Sequence, residues 1–302
     1  MSDVRSGTER AADAPQPTGT NTTACLRVDG IRARYRDTGQ RTGQPVLLIH
    51  GIGRSLEDWE GLYGRLAPDH RVISVDLPGF GLSERTPGKY SMESLARFVI
   101  AFLDTLGEHR PLHVVGNSLG GAVAMTISTL EPQRVRSLVL VNSAGFGQEV
   151  TVALRVLAVR PLGRHFMKDK SRKAAYRTER ALFYDKKFVT EERLDHAQEV
   201  GRNPGYDDVL LAVARHLGTF RGVRRRWRTR LLRTVAAQRK PTLVVWGDED
   251  RVLPASHLEH ARTVFPHAQF HLFERCGHMP QIEREEDFDA LVRAFLKEID
   301  AG

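Results

Sequence analysis

Leu112-His113-Val114-Val115-Gly116-Asn117-Ser118-Leu119-Gly120-Gly121 is the stretch on which the reading of this 302-residue chain turns. An apolar, β-branched run ends in a glycine-rich bend with a serine at its apex, and Ala122-Val123-Ala124-Met125 then reads as a helix. Strand, sharp turn and helix with Gly-x-Ser-x-Gly spacing match a nucleophile elbow, where glycines make room for a strained backbone that lifts the hydroxyl clear of a sheet. A serine held in this way attacks a carbonyl when a base takes its proton. The base, an acid to orient it and donors for an oxyanion must then come from elsewhere in the chain.

Working outward, Cys25 to Arg36 predicts a hairpin around Asp29-Gly30, and Val46 to Ile49 is a continuous apolar run followed by His50-Gly51-Ile52-Gly53. Ser55 with Asp58 predicts a capping box that opens a helix through Leu66. Arg71 to Val75 forms the next strand and runs into Asp76-Leu77-Pro78-Gly79-Phe80-Gly81; Ser91 then caps a helix with Leu95, Phe98, Phe102 and Leu106 on one face. After the serine bend come strands at Ser137 to Val141, Thr242 to Trp246 and Gln269 to Phe273, with helices at Ser256 to Val264 and around Phe288 to Phe295. Apolar strands alternating with helices predict an α/β fold, a mostly parallel central sheet covered by helices on both faces.

Charge divides the chain. The formal net charge is +8, but residues 151 to 240 hold 23 Lys and Arg against 9 Asp and Glu, leaving 22 against 28 elsewhere. A basic block between two mildly acidic segments is expected of an excursion from a fold that resumes afterwards. Residues 25–145 and 241–302 are therefore assigned to the core, and 146–240 to a basic helical insertion between the strand after the elbow helix and the strand of Thr242 to Trp246. Residues 1–24, rich in small residues and Pro, read as a disordered extension without the apolar run of a signal peptide. No apolar stretch is long enough for a membrane helix, and two distant cysteines, Cys25 and Cys276, make no disulfide framework. The expectation is a soluble cytoplasmic protein.

In such sheets chemistry gathers at the carboxyl ends of the strands, and every candidate group falls there. Ser118 follows one strand, Asp248 and Asp250 follow Thr242 to Trp246, and His278 in Cys276-Gly277-His278-Met279-Pro280 follows the last. The order Ser, Asp, His resembles that of the α/β-hydrolase family, as do the His50-Gly51 loop, the Asp76 to Gly81 turn, the serine bend and the pairing of Trp246-Gly247-Asp248-Glu249-Asp250 with Gly277-His278. The resemblance, to the esterase and lipase-like branch with an inserted cap, implies a catalytic triad of Ser118, Asp250 and His278, with Asp248 as the alternative acid. It also implies an oxyanion hole from the backbone N–H groups of Ile52 and Leu119, and substrate contacts at His50, Gly51, Asn117 and Met279. Asn142 and Ser143 end the strand where some relatives carry the acid, and neither can serve as one.

Other chemistries fit less well. The Gly79-x-Gly81 pattern continues to Glu84 and fails as a dinucleotide fingerprint, and no His-Glu-x-x-His is present, so neither cofactor nor metal is expected. No recognition motif accompanies the basic charge, which argues against nucleic acid as a partner. Phe220, Val223, Trp227 and Leu231 lie at helical spacing among six arginines, a pattern that fits a membrane surface but is better read as an ordinary cap helix with its apolar stripe packed inward. The leading expectation is hydrolysis of a small-molecule carboxylic ester with a moderately sized apolar acyl part. Carbon–carbon hydrolysis of a ring-cleavage product and a non-enzymatic ligand receptor are the alternatives. Relatives of the former kind usually carry Trp after the catalytic histidine, where this chain has Met279.

Overall fold

The computed structural model describes residues 23–39 and 43–302. The first strands are β1 (Thr23–Val28), β2 (Ile31–Asp37) and β3 (Gln44–Ile49), followed by α1 (Glu60–Leu66), β4 (His70–Val75), α2 (Met92–Thr105), β5 (Leu112–Asn117), α3 (Leu119–Leu130) and β6 (Val135–Val141). Between β6 and the next core strand lie α4 (Val152–Leu157), α5 (Arg160–Phe166), α6 (Arg172–Leu182), α7 (Glu191–Gly201), α8 (Tyr206–Leu217), a hairpin of β7 (Gly218–Thr219) and β8 (Gly222–Val223), and α9 (Arg225–Gln238). The chain closes with β9 (Thr242–Gly247), α10 (Ser256–Val264), β10 (Gln269–Phe273), α11 (Pro280–Glu283) and α12 (Glu285–Ala301).

Eight strands form one sheet in the order β1-β2-β4-β3-β5-β6-β9-β10. The β1–β2 and β2–β4 pairs are antiparallel and the remaining pairs are parallel. The expected hairpin is present, with Asp29 (φ 49°) and Gly30 (φ 82°) both left-handed at its turn. Period-two alternation then builds two cores from the same strands. Leu47, Ile49, Val114, Leu138 and Val244 face α2 and α3, whereas Val46, Leu48, Val115, Val139 and Val245 face α1 and α12. Burial on both faces explains why these strands lack polar alternation.

The predicted Ser91 cap is present, a capping box completed by Ser94. The predicted Ser55 cap is not. Ser55 Oγ shares a 2.7 Å hydrogen bond with His196 Nε2 and Asp58 is held by Arg54, so the segment opens as a 3₁₀ turn, Leu56–Trp59, before α1. Tertiary partners have taken the side chains on which the cap depends.

The structure bears on two of the expected boundaries. The expected extension of residues 1–24 lies outside the described residues as far as 22, and Thr23 and Ala24 already belong to β1. At the other boundary, Phe146 is fully buried against Trp246 and Phe265, and α9 packs on α3, with Gln238 Nε2 donating to Ser128 O at 2.7 Å. The basic α9, assigned above to the insertion, thus packs directly on the core helix α3. Of the apolar stripe, Val223 and Leu231 are buried and Trp227 half-buried, whereas Phe220 is 62% exposed at the hairpin tip.

Candidate active site

Ser118 sits between β5 and α3 at φ 54° and ψ −115°, a region that costs a non-glycine residue roughly 1–3 kcal/mol. The surrounding backbone fixes it there. Its N–H donates to Val141 O at 2.9 Å, and its C=O accepts from Ala144 at 2.9 Å and from Gly121 at 3.2 Å. A Cβ at Gly116 would stand 2.4 Å from the Gly120 carbonyl carbon, and one at Gly120 would stand 2.1 Å from Ile49 O. The two glycines flanking the serine are therefore required by close backbone approach.

Asp250 and His278 arrive from the turns after β9 and β10. His278 Nδ1 lies 2.7 Å from Asp250 Oδ2, and both residues are buried. The other carboxylate oxygen accepts the N–H groups of Val252 (2.7 Å) and Leu253 (3.0 Å). With Asp250 ionised, Nδ1 carries the proton and Nε2 is left as the basic nitrogen. Asp248, the alternative acid, is exposed and accepts the Cys276 N–H at 3.1 Å, which makes it a turn former. Cys276 is buried, and burial pushes its thiol up, away from nucleophilic use.

Ile52 and Leu119 present their backbone N–H groups without a protein acceptor among the described residues. Both residues line a cavity of about 50 Å³ that also meets Ser118. Leu154 of α4, Leu217 at the end of α8, Val223 of the hairpin and Trp227 of α9 complete an apolar wall, and no charged side chain lines it.

The four expected substrate contacts are placed differently. His50 is fully buried, Nδ1 donating to Gly51 O (2.7 Å) and Nε2 accepting from Leu77 N–H (2.9 Å); burial holds its imidazole below the ordinary value, so it is a neutral brace. Gly51 lies against Ser118, and its carbonyl is used by His50 and by the Arg54 N–H. Asn117 is buried with Nδ2 on the carbonyls of Val141 (3.2 Å) and His278 (3.1 Å), tying the histidine loop to the elbow. Met279 packs with Phe183 and Ile282. None of the four lines the cavity at Ser118; His50, Gly51 and Asn117 lie at buried strand ends and Met279 precedes α11. Phe80 is likewise buried, edge-on to His50 and Tyr206.

Two features lie outside what the sequence predicts. Asn142, at φ 43° just past β6, donates Nδ2 to Asp250 Oδ2 at 2.7 Å. Its position at a strand's carboxyl end was the one available clue. Arg54 follows Ile52 and Gly53 in the loop after β3 and joins Asp58 (2.6 Å) to Glu179 of α6. Beside it His196 Nε2 lies 3.0 Å from Glu57; burial alone lowers its value, but the Glu57 carboxylate wins and holds it above the ordinary range. Among the described residues, no group of three or more His, Cys, Asp or Glu is gathered as a metal site.

Known proteins share this fold. Residues 44–285 match the family model described as the alpha/beta hydrolase fold. A 2-hydroxymuconate semialdehyde hydrolase of Pseudomonas sp. (strain CF600) is 33% identical over 281 residues, covering 90% of this chain and 93% of the relative. The dihydrolipoyllysine-residue acetyltransferase component of an acetoin cleaving system from Pseudomonas putida is 34% identical over 270 residues, 89% of this chain and 68% of the relative. Among solved structures, a meta-cleavage product hydrolase from Pseudomonas fluorescens IP01 superposes with a TM-score of 0.77 at 29% identity, covering 91% and 97% of the two chains. A thermophilic esterase from Thermogutta terrifontis shares the fold, with a TM-score of 0.73 at 24% identity over 92% and 99%. With its strand order, elbow and matched residues, the chain belongs to the α/β-hydrolase family.

Proposed function

We propose that this α/β hydrolase cleaves neutral, largely apolar carboxylic esters through Ser118, His278 and Asp250. The observation that carries the reading is the cavity beside Ser118, walled by apolar side chains and free of any cation. A neutral acyl chain is desolvated there at a gain, whereas an anionic substrate would lose hydration without a counter-charge.

In this reading Ser118 Oγ bonds to the ester carbonyl carbon as His278 Nε2 takes its proton, and Asp250 stabilises the imidazolium. The carbonyl oxygen, now anionic, accepts from the N–H groups of Ile52 and Leu119, each worth roughly 3 kcal/mol in the transition state. Collapse breaks the bond to the leaving oxygen, which departs as the alcohol with the proton from His278. Water, deprotonated by the same nitrogen, then attacks the acyl-enzyme; the acid leaves and Ser118 recovers its proton. The insertion, through Leu154, Leu217 and Val223, supplies the acyl wall and excludes water.

Carbon–carbon hydrolysis is the second reading, favoured by relatives such as a 2-hydroxy-6-oxo-2,4-heptadienoate hydrolase of Pseudomonas putida, 31% identical over 275 residues. Its named substrate is a carboxylate, for which the cavity has no cation. A panel of p-nitrophenyl esters of rising acyl length, run beside a dienoate ring-cleavage product, separates the two. Ester turnover with a chain-length optimum, lost in Ser118→Ala, is expected. Faster turnover of the dienoate replaces the ester reading, and equal rates in wild type and variant overturn the serine mechanism.

A further inference from the structure

The loop that carries His278 is gripped from two sides. From the core, Asp248 accepts the Cys276 N–H at 3.1 Å, and Asn117 Nδ2 donates to His278 O at 3.1 Å. The next two amides of the loop are held from outside the sheet. The Gly277 N–H donates to Glu283 Oε1 at 2.7 Å, and the His278 N–H donates to Leu182 O, at the end of α6, also at 2.7 Å. Glu283 Oε2 in turn accepts the N–H groups of Tyr184 (2.8 Å) and Asp185 (3.1 Å), in the strap that leaves α6.

Strap and loop are in close contact. A Cβ at Gly277 would stand 2.5 Å from Leu182 O and 2.7 Å from Tyr184 N, so glycine is what lets the insertion approach the peptide ahead of the histidine. Phe183, buried in the strap, packs on Met279 and Ile282, with Phe188 against the same cluster. At the end of α11, Glu283 therefore holds three backbone N–H groups on two oxygens. A carboxylate makes that match, whereas an amide has one acceptor oxygen and turns an NH2 group toward the remaining donor. Burial holds the Glu283 carboxyl above its ordinary range, against these three N–H groups, which favour the ionised form.

We propose, on the reading of His278 as the base for Ser118, that Glu283 is its positioning residue: it joins the strap of the insertion to the histidine loop, so that insertion and core together align the imidazole. Glu283 does not line the Ser118 cavity and acts through the Gly277 peptide. Withdrawing one acceptor frees either the loop or the strap, and the imidazole loses alignment on Ser118 while the cavity wall stays in place.

Glu283→Gln, which keeps the shape of the side chain, tests this against wild type in three ways. These are the rate at which a fluorophosphonate labels Ser118, kcat and KM for a p-nitrophenyl ester, and the downfield proton resonance of His278 Nδ1–H, identified by its loss in His278→Gln. Labelling and kcat should fall together by about tenfold with KM unchanged, and the resonance should move or broaden. A side chain that only stabilised the fold would lower the melting temperature and leave all three unchanged in the folded protein. Labelling needs no ester, so failure of wild type to cleave esters and failure of this proposal are separate results. In wild type, the amides of Gly277, Tyr184 and Asp185 should exchange with deuterium as one protected group, a measurement that needs no variant to fold. Wild-type rates and resonance in folded E283Q, a rise in KM at constant kcat, or separate exchange of the three amides overturns the proposal.

Discussion

Asn142 Nδ2 donates to Asp250 Oδ2, the oxygen that also faces His278 Nδ1, and both distances are 2.7 Å. One carboxylate oxygen is thereby held on the imidazole by a strand-end amide, while its twin is held by two backbone N–H groups. Asn142→Ala removes a hydrogen bond to a charged group, worth about 1.5–3 kcal/mol. Since it positions the acid without touching substrate, kcat for a p-nitrophenyl ester should fall about tenfold, with KM unchanged. A rise in KM at constant kcat would show that Asn142 acts on substrate instead.

Ser118 stores strain at φ 54°. Ser118→Gly should relieve roughly 1–3 kcal/mol of it, less the 0.5–1 kcal/mol of chain entropy that glycine adds to the unfolded state. The variant should be inactive yet about 1 kcal/mol more stable in urea unfolding. A less stable variant would place the strain elsewhere.

Arg54 stands between the carboxylates of Asp58 and Glu179, whose side chains are 3% and 2% exposed. Removing the cation leaves two buried like charges, so Arg54→Met should cost about 3–5 kcal/mol. Glu179→Gln, which keeps an acceptor for the guanidinium, should cost less. Limited proteolysis should release α6 and α7 first in Arg54→Met; equal losses in the two variants would contradict this account.

Burial lowers His113, between Ser137 and Asp300, to about 4, against the Asp300 carboxylate that raises it. As pH falls, the unfolded chain takes up this proton before the folded one. The contribution is therefore complete above about 6.5 and lost as pH falls through the folded value, by at most about 3 kcal/mol. Urea unfolding of His113→Gln should lose less stability between about pH 6.5 and 4.5 than wild type does, with carboxylates contributing mainly below that window. Parallel curves would remove His113 from the acid response.

Local chemistry made much of this molecule readable without coordinates. Gly116 and Gly120 announce the elbow because no other residue fits such close backbone contacts, and the unbroken apolar strands announce a sheet covered twice. Spacing distinguishes Asp250 from Asp248 only as a preference, and in the structure it is Asp250 that lies 2.7 Å from His278. Tertiary structure alone decided what buried side chains do. His50 and Asn117 sit beside motif residues in sequence, yet each is buried, because a strand end is packed from both faces, and Met279, ahead of α11, is buried against Phe183 and Ile282. Ser55 gave its hydroxyl to His196, 141 positions away, instead of to its own helix. Asn142 reaches Asp250, Arg54 reaches Glu179, and α9 lies down on α3, all across gaps that no periodicity spans. Sequence specifies contacts within a turn or a strand; the fold specifies which distant groups meet, and that pairing shapes the cavity at Ser118.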